Sequence, residues 1–406
     1  MSPASQAPPN SLPPKNAAVR VIGKRPRMSR FLRVLIAVTA AVHLPFVGAV
    51  AYAAITRGWP MPWAIAWGAG AFGVLVFVWR ARAGARDRRV GPLLPALIDV
   101  PYFIHWCTCV WCLVPSLGSL VCFPIVELAH GEALAWPLRF YFWTYIAGLF
   151  VCGYGVLIRR KWFVVKDVEV KIRGLDPSFE GYTIAHLSDL HIGTLTPQAR
   201  GEKWTRAANA RTPDLAVVTG DMVTSGTAYH PDIANVIATL RAKDGTFVSM
   251  GNHDYFGDGE PLISLIEARG VRVLRNEGTL IERNGAKMYL AAIDDTWTKR
   301  DDMNRALRDR PDGVPVVLLA HDPDRFPQAA GRGVMLTLSG HTHGGQIAFP
   351  FLSRWVSLAR LAHRYNVGLY RIGESVLYVH PGLGTTGPPM RLGVAPAVVI
   401  LTLRAA

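Results

Sequence analysis

Five short blocks in the C-terminal half of the chain combine histidine, aspartate and asparagine, residue types that hold divalent metal ions through imidazole nitrogens and side-chain oxygens. Each block follows an apolar run rich in β-branched residues, and such a run between turn residues predicts a buried strand. Polar groups at the ends of successive strands converge on one crevice of an α/β sheet. The sequence therefore predicts a metal site. The blocks are Asp189-Leu190-His191, Gly220-Asp221, Gly251-Asn252-His253-Asp254, His321 and Gly340-His341-Thr342-His343.

The segments between these blocks alternate between strand and helix patterns. Residues 197–210, 231–241 and 261–269 predict helices that follow the metal blocks. Asn284-Gly285 is a strong hairpin signal, and Glu374-Ser375 predicts a second hairpin. Alternating units followed by hairpins predict an α/β fold, in which two mixed β-sheets pack face to face and are flanked by helices.

In order and composition, the five blocks resemble the calcineurin-like metallophosphoesterase superfamily. Gly344-Gly345-Gln346 and the later Gly382-Leu383-Gly384-Thr385 are similar to a bacterial branch that includes membrane-associated phosphodiesterases and a lipid A pathway pyrophosphatase. The resemblance extends from about Val168 to Arg404. It implies the fold of that superfamily and a hydrolase that acts on phosphoric esters.

The resemblance also implies two divalent cations that share Asp221. Nitrogen and oxygen ligands without a thiolate are compatible with Mn²⁺, Fe²⁺/Fe³⁺ or Zn²⁺. Two such ions, about 3.5–4 Å apart, would turn a bridging water into hydroxide and set it in line with the phosphorus. Asp189, His191, Asp221 and His343 would hold one ion, and Asp221, Asn252, His321 and His341 would hold the other.

Further roles come from the same resemblance. His253 would contact the phosphate and protonate the leaving oxygen, and Asp254 would orient the His253 imidazole. Alternatively, Asp254 only caps a turn. Arg391, beyond the glycine-rich segment, is a weaker candidate for a phosphate contact. His341-Thr342-His343 is predicted to be extended, so that its two imidazoles point the same way.

The first part of the chain has a different character. Residues 1–161 carry 17 Lys and Arg against 4 Asp and Glu, whereas the rest carries 27 and 25. Four apolar segments there are each near the roughly 20 residues that a helix needs to cross a bilayer. The basic residues flank these segments, so membrane topology explains the net charge and no nucleic acid partner is expected. The predicted spans are about Phe31 to Ile55, Met61 to Trp79, Tyr102 to Phe123 and Leu138 to Ile158.

The loops between the spans predict the orientation of the chain, because Lys and Arg are retained on the cytoplasmic side. Basic residues are concentrated in the N-terminal tail, in the loop after the second span and after the fourth span. The loop after the first span has one basic residue, Arg57. The loop after the third span has the acidic residues Glu127 and Glu132 and no Lys or Arg. The sequence therefore predicts an integral protein of a bacterial cytoplasmic membrane whose catalytic part faces the cytoplasm.

Three regions follow from these patterns. Residues 1–28 are rich in proline and polar residues and predict a disordered basic tail. Residues 29–160 form the membrane domain, and residues 161–406 form the catalytic domain. All five cysteines lie in the predicted spans, and they are interpreted as small packing residues. These cysteines are Cys107, Cys109, Cys112, Cys122 and Cys152.

The leading hypothesis is a membrane-anchored metal-dependent phosphodiesterase or pyrophosphatase whose substrate is a lipid or a nucleotide-linked lipid. An active site tethered to the membrane meets lipid headgroups more often than soluble esters. A second hypothesis makes the spans a sensor or transporter module and the phosphoesterase-like part its regulator. Ionisable residues inside the spans would support it, since they are costly and usually functional, but the few present disfavour transport. The candidates are His43, Asp99 and His105. Residues 351–365 have a basic amphipathic pattern that fits either membrane contact or ordinary packing.

Overall fold

The structure is a computed structural model that describes residues 30–84, 88–130, 135–348 and 357–406. The predicted tail, residues 1–28, lies outside the described residues. Long and largely apolar helices form the first part of the chain, as is typical of helices surrounded by lipid. They are α1 Arg30–Val42, α2 Leu44–Thr56, α3 Pro62–Gly84, α4 Val100–His130 and α5 Ala135–Tyr154, with π-helical turns at Pro95–Asp99 and Gly155–Arg159.

The four predicted spans are present as helices long and apolar enough to cross a membrane. They cover Leu32–Thr56, Pro62–Arg82, Pro95–Ser119 and Trp136–Arg159. The first span is interrupted at His43, between α1 and α2, two residues before a proline that has no N–H to donate. Of the large apolar side chains that the structure shows exposed, all but four lie at or before Val165. This exposed apolar surface is the surface that a bilayer would cover.

The remainder of the chain forms two six-stranded sheets. The first has the order β1-β12-β2-β3-β4-β5 and is parallel except between β12 and β2. The second has the order β10-β11-β9-β8-β7-β6, with antiparallel pairs at both edges. The strands are β1 Val164–Ile172, β2 Thr183–Leu187, β3 Leu215–Thr219, β4 Thr246–Ser249, β5 Arg272–Val273, β6 Glu277–Arg283, β7 Ala286–Ala292, β8 Val316–Leu319, β9 Leu336–Ser339, β10 Gly368–Ile372, β11 Ser375–Val379 and β12 Ala397–Ala405.

The sheets pack face to face because alternate residues of each strand point to opposite sides. On β2, Ile184 joins the core between the sheets, which includes Leu290 and Leu338 of the second sheet. Its neighbour Ala185 faces the outer layer with Trp204. The predicted architecture of two mixed sheets flanked by helices is confirmed. The helices are α6 Gln198–Asn209, α7 His230–Ile237, α8 Glu260–Glu267, α9 Met303–Ala306 and α10 Phe326–Ala330.

The amphipathic segment is only partly visible, because residues 349–356 lie outside the described residues. In the part that the structure describes, the segment forms a single 3₁₀ turn at Leu358–Leu361 rather than a longer helix. Tyr365 is buried, with its ring centroid 5.6 Å from that of Phe326. At the C-terminal end of the segment, the structure therefore shows ordinary packing against residues 161–406 and not contact with a membrane.

The catalytic domain contacts the membrane helices directly. Met390 is buried in a cluster with Cys107, Cys152 and Val156 of the spans. The next residue, Arg391, donates its backbone N–H to the Gly155 carbonyl over 3.3 Å. A Cβ on Gly155 would lie 2.9 Å from Met390 Cγ, so a glycine is needed for this close approach. The glycine-rich segment before Met390 is thus held between the spans and the sheets.

Candidate metal centre

All five predicted blocks lie at the C-terminal ends of strands in the two sheets. Asp189, Asp221 and Asn252 follow β2, β3 and β4 of the first sheet, whereas His321 and His341 follow β8 and β9 of the second. The strand ends therefore bring ligands from both sheets to one crevice, as the sequence predicts.

The side chains of these blocks form two groups that share Asp221. In one group, His191 Nε2 lies 3.0 Å from His343 Nε2 and 3.7 Å from Asp221 Oδ2. His343 Nε2 is also 3.2 Å from Asp189 Oδ1. The ligand atoms of each group lie within 4.8 Å of one another, and the groups are Asp189, His191, Asp221, His343 and Asp221, His321, His341.

The second group is built around His321. Its Nε2 lies 3.2 Å from Asp221 Oδ2, and its Nδ1–H donates to the Thr219 carbonyl over 2.6 Å. His191 is fixed in the same way, since its Nδ1–H donates to the Val223 carbonyl. A hydrogen bond at Nδ1 leaves Nε2 of each imidazole free to bind a metal.

Asn252 is placed beside Asp221 by its neighbours along the chain. His253 donates its backbone N–H to Asp221 Oδ1 over 2.9 Å, and a Cβ on Gly251 would lie 2.4 Å from the same oxygen. Asn252 Oδ1 and His341 Nδ1 are buried without a hydrogen-bond partner. Since buried polar atoms are normally paired, these two atoms fit a site that binds metal ions.

The backbone of the site is strained. Among the described residues other than glycine, eleven have a positive φ, and five of these are predicted ligands. A side chain in this left-handed region costs on the order of 1–3 kcal/mol and persists where the surrounding structure imposes it. The prediction that His341-Thr342-His343 is extended is wrong, because Thr342 is helical and both histidines are left-handed. The five residues are Asp189 (φ 54°), His191 (44°), Asp221 (53°), His341 (71°) and His343 (53°).

Burial and charge set the protonation of the ligands. Burial alone would raise the pKa of Asp221, but the charge of His321 nearby holds that pKa below its usual range. Burial would lower the pKa of His321, and Asp221 instead raises it to about 10. Burial lowers the pKa of His341 to about 4, and the neighbouring His321 adds to the effect. Without metal, the site therefore carries a proton on His321, facing the shared carboxylate.

His253 lies at the rim of the crevice, beside the first group. Its ring centroid is 4.7 Å from that of His191. Its Nδ1–H donates to the Thr224 carbonyl over 2.7 Å, and its Nε2 lies 3.3 Å from Thr386 Oγ1. Sequence reasoning missed Thr224 and Thr386, although Thr386 directly follows the Gly382-Leu383-Gly384-Thr385 segment.

Asp254 does not contact the His253 imidazole, so the prediction that it orients this ring is wrong. Its carboxylate accepts hydrogen bonds from the backbone N–H groups of Met222, Val223 and Gly251. Burial, and next the charge of Asp221, raise the pKa of Asp254 to about 7. Asp254 thus ties together the loops that carry Asp221 and Asn252, which agrees with the alternative that it caps a turn.

Arg391 does not face the crevice. Its side chain is fully buried and donates to the Pro381 and Gly384 carbonyls over 2.7 Å each. Its Nη2 lies 3.3 Å from His343 Nδ1. The candidate phosphate contact is therefore not confirmed, and Arg391 instead holds the glycine-rich segment behind a predicted ligand.

Gly340 offers a test of the site in which none of the predicted ligands is itself substituted. A Cβ there would lie 1.9 Å from Ser188 Oγ and 2.4 Å from Asp189 Oδ2. We expect Gly340→Ala to displace Asp189 and to weaken metal binding by roughly 10-fold or more, the loss typical when support of a ligand is removed. Bound metal is measured by mass spectrometry of the purified full-length chain. Gly331→Ala is the matched control, because its nearest contact would be 3.5 Å, and an equal loss in both variants would contradict the assignment.

The raised pKa of His321 predicts how metal affinity depends on pH. A histidine with a pKa near 10 keeps its proton at neutral pH, and a metal that binds Nε2 must displace it. Affinity should therefore rise with pH below about 10, by about tenfold per pH unit for each proton released. Calorimetric titration of metal-free protein at pH 6 to 8, in buffers of different ionisation enthalpy, counts the protons. An affinity that stays constant or falls over this range would contradict the prediction that the metal displaces a proton from His321.

Comparison with known proteins agrees with this geometry. The sequence profile of the calcineurin-like phosphoesterases matches residues 182–345, which include every predicted ligand. The metallophosphoesterase YkuE of Bacillus subtilis is 31% identical over 258 residues, which are 62% of this chain and 90% of YkuE. A metallophosphoesterase of Aquifex aeolicus is 33% identical over 54% of this chain and 84% of its own length.

A zebrafish (Danio rerio) transmembrane protein with a metallophosphoesterase domain is 31% identical over 60% of this chain. The alignment spans only 57% of the zebrafish protein. An archaeal phosphodiesterase of known structure aligns with 49% of this chain at 13% identity and a TM-score of 0.27, which carries no weight in the assignment. The matched relatives and the two-sheet crevice lead to one conclusion: this chain belongs to the calcineurin-like metallophosphoesterase family, and it carries apolar helices suited to a membrane.

Proposed function

We propose that the protein hydrolyses a phosphodiester or pyrophosphate bond of a membrane lipid or nucleotide-linked lipid, with two divalent metal ions. The observation that carries the proposal is the shared carboxylate. Asp221 belongs to both ligand groups, which is the arrangement that two adjacent cations require. When bound, the ions would supply an activated water and neutralise the phosphoryl oxygens. Asp189, His191, Asp221 and His343 would hold one ion, and Asp221, Asn252, His321 and His341 the other.

His253 is suited to protonate the leaving oxygen. The Thr224 carbonyl accepts the Nδ1–H of this histidine, so Nε2 is the nitrogen that can carry a proton toward the crevice. Thr386 Oγ1, 3.3 Å from Nε2, restricts the ring from the other side. The imidazole is thereby oriented by a backbone carbonyl and a hydroxyl group, without Asp254.

The role of His253 predicts a dependence on the leaving group. We expect His253→Gln to slow hydrolysis of an alkyl phosphodiester by roughly 10²–10⁴-fold, the usual contribution of a general acid. A nitrophenyl ester should be slowed much less, because nitrophenolate departs without a proton. Steady-state rates of both esters give the comparison, and Gln198→Glu on α6 serves as a control at a partly buried position outside the crevice. Equal slowing of both esters would exclude proton donation by His253.

A cavity beside His253 supports a substrate that is anchored in the membrane. Its volume is about 510 Å³, and it lies between the catalytic domain and the ends of the second and third spans. Phe256, whose ring centroid is 4.5 Å from that of His253, and Thr224 line the side toward the crevice. Leu94 and the ion pair of Arg80 with Asp99 line the side toward the membrane. A phosphoester held by the metals could therefore extend its lipid portion toward the bilayer.

The lipid proposal predicts faster turnover of membrane-borne esters. Full-length protein with Mn²⁺ should hydrolyse a nucleotide diphosphate lipid in mixed micelles at least about tenfold faster, in kcat/KM, than the same compound with truncated acyl chains. Leu94→Glu should reduce this preference, whereas Leu93→Glu should not, since Leu93 does not line the cavity. Asp221→Asn, which removes the shared ligand, gives the background rate that does not depend on the metal centre. Efficient cleavage of soluble nucleotides together with no cleavage of the lipid would exclude the lipid substrate while leaving the hydrolase assignment intact.

We place the catalytic domain on the cytoplasmic side of a bacterial membrane. Basic residues support this orientation: Arg80 and Arg82 end the second span, and Arg159, Arg160 and Lys161 follow the fourth. Protease added to intact spheroplasts should leave the catalytic domain uncut, and protease added to inverted vesicles should release it. Cleavage in spheroplasts alone would reverse the proposed orientation.

A further inference from the structure

Four membrane helices converge on a cluster of polar side chains that the hydrolytic site does not use. His43 lies at the break in the first span and meets His105 of the third span, where the two Nε2 atoms are 3.1 Å apart. Cys109 Sγ, one helical turn after His105, lies 3.8 Å from both ring nitrogens of that histidine. The ligand atoms of His43, His105 and Cys109 are all within 4.8 Å of one another. A polar cluster of this kind inside a membrane region is costly and usually functional.

The two histidines are oriented by groups outside the cluster. His43 Nδ1–H donates to the Thr39 carbonyl over 2.6 Å, which leaves its Nε2 with a free lone pair. His105 Nδ1 pairs with the Tyr145 hydroxyl of the fourth span over 2.7 Å. Both Nε2 atoms thus point to the same place, with a carbonyl or hydroxyl group behind each ring. Metal-binding histidines are supported in this way.

The second span leaves room for the cluster. A Cβ on Gly73 would lie 2.5 Å from His43 Nε2 and 3.3 Å from His105 Nε2. Tyr102 holds the same backbone close by donating its hydroxyl to the Gly73 carbonyl over 3.0 Å. His43 and Cys109 are 2% and 0% exposed, so water has little access to their ligand atoms.

We propose that His43, His105 and Cys109 form a binding site for one Cu⁺ ion in the membrane domain, separate from the hydrolytic metals. Imidazole and thiolate ligands together select soft ions such as Cu⁺ over Mg²⁺, Ca²⁺ or Mn²⁺. Metal bonds of about 2.0–2.1 Å to nitrogen and 2.3 Å to sulfur place two nitrogens about 3.3–3.5 Å apart, and nitrogen and sulfur about 3.6–3.8 Å apart. The observed 3.1 Å between the two Nε2 atoms is within a few tenths of the first separation. Cys109 Sγ lies 3.8 Å from both ring nitrogens of His105, so it would rotate about its Cα–Cβ bond to share an ion with Nε2.

Charge balance selects Cu⁺ among soft ions. On binding, the Cys109 thiol releases its proton to solvent and the sulfur forms a bond to copper. Cu⁺, one thiolate and two neutral imidazoles sum to zero charge, whereas Zn²⁺ with the same ligands leaves one positive charge. A net charge buried away from water is strongly unfavourable. The ion stays Cu⁺ throughout, so the step needs no oxidant or reductant.

The test measures Cu⁺ binding by the full-length chain in detergent, under anaerobic reducing conditions, against a chromogenic Cu⁺ chelator. The wild type should bind one Cu⁺ that Cys109→Ser and His105→Ala bind at least about 100-fold more weakly. Cys107→Ala is the matched control, because Cys107 is also buried and lies on the same helix outside the cluster. X-ray absorption should find one sulfur and two nitrogen ligands. The catalytic half contains no cysteine, so a thiolate ligand must come from the membrane domain, and the Cys109→Ser and Cys107→Ala variants identify which cysteine supplies it.

Cys109→Ser is the decisive variant, because serine is close to cysteine in volume. Hydrolysis of a soluble phosphodiester by the same preparation checks that the variant is folded. Hydrolysis should stay within about twofold of the wild type. Equal Cu⁺ binding by wild type and Cys109→Ser would overturn the proposal. A site made only of sulfur ligands, or one lost in Cys107→Ala, would also overturn it. Binding of Zn²⁺ but not Cu⁺ through the same residues would overturn the assignment to copper.

Discussion

The predicted metal centre depends on one carboxylate, that of Asp221, which belongs to both ligand groups. Asp221 sits where the two sheets meet, between His191 from the segment after β2 and His321 from the segment after β8. Neither sheet supplies both ligand groups alone, so the crevice exists only when the sheets are packed in this register. The core between them, with residues such as Ile184 and Leu290, therefore positions the chemistry as well as stabilising the fold.

The metal centre tolerates several charged side chains and left-handed residues close together because hydrogen bonds from neighbouring loops fix its backbone. The Asp254 carboxylate binds three backbone N–H groups from the loops that carry Asp221 and Asn252, and Asp189 accepts the N–H of His341 over 3.0 Å. Such bonds hold left-handed residues that would otherwise relax. The folded loops therefore hold the ligand side chains in place before a metal ion binds. This preorganisation lowers the free-energy cost of ordering the ligands on binding.

Much of the fold and of the predicted metal site could be predicted from the sequence, because the sequence patterns that indicate them are periodic or local. Strands followed by His, Asp or Asn identified the crevice, and apolar runs identified the four spans. Other features depend on partners that no local pattern specifies. The Asp254 carboxylate accepts hydrogen bonds from both Val223 and Gly251, which lie in different loops. Thr386 lies beside His253 although the two are 133 residues apart in the sequence. His43 lies beside His105 although they are 62 residues apart. The left-handed ligands were equally hidden, since aspartate and histidine adopt that conformation more often than most residues but still only in a small minority of positions.

The contact between Gly155 and the Met390-Arg391 segment makes the membrane helices part of the enzyme's architecture. Arg391 bonds the Gly155 carbonyl through its backbone, and its guanidinium lies behind His343. A catalytic domain cut free of its anchor would expose Met390 and lose one of the supports of that segment. A water-soluble fragment without the apolar helices would therefore be an incomplete substitute for the whole chain.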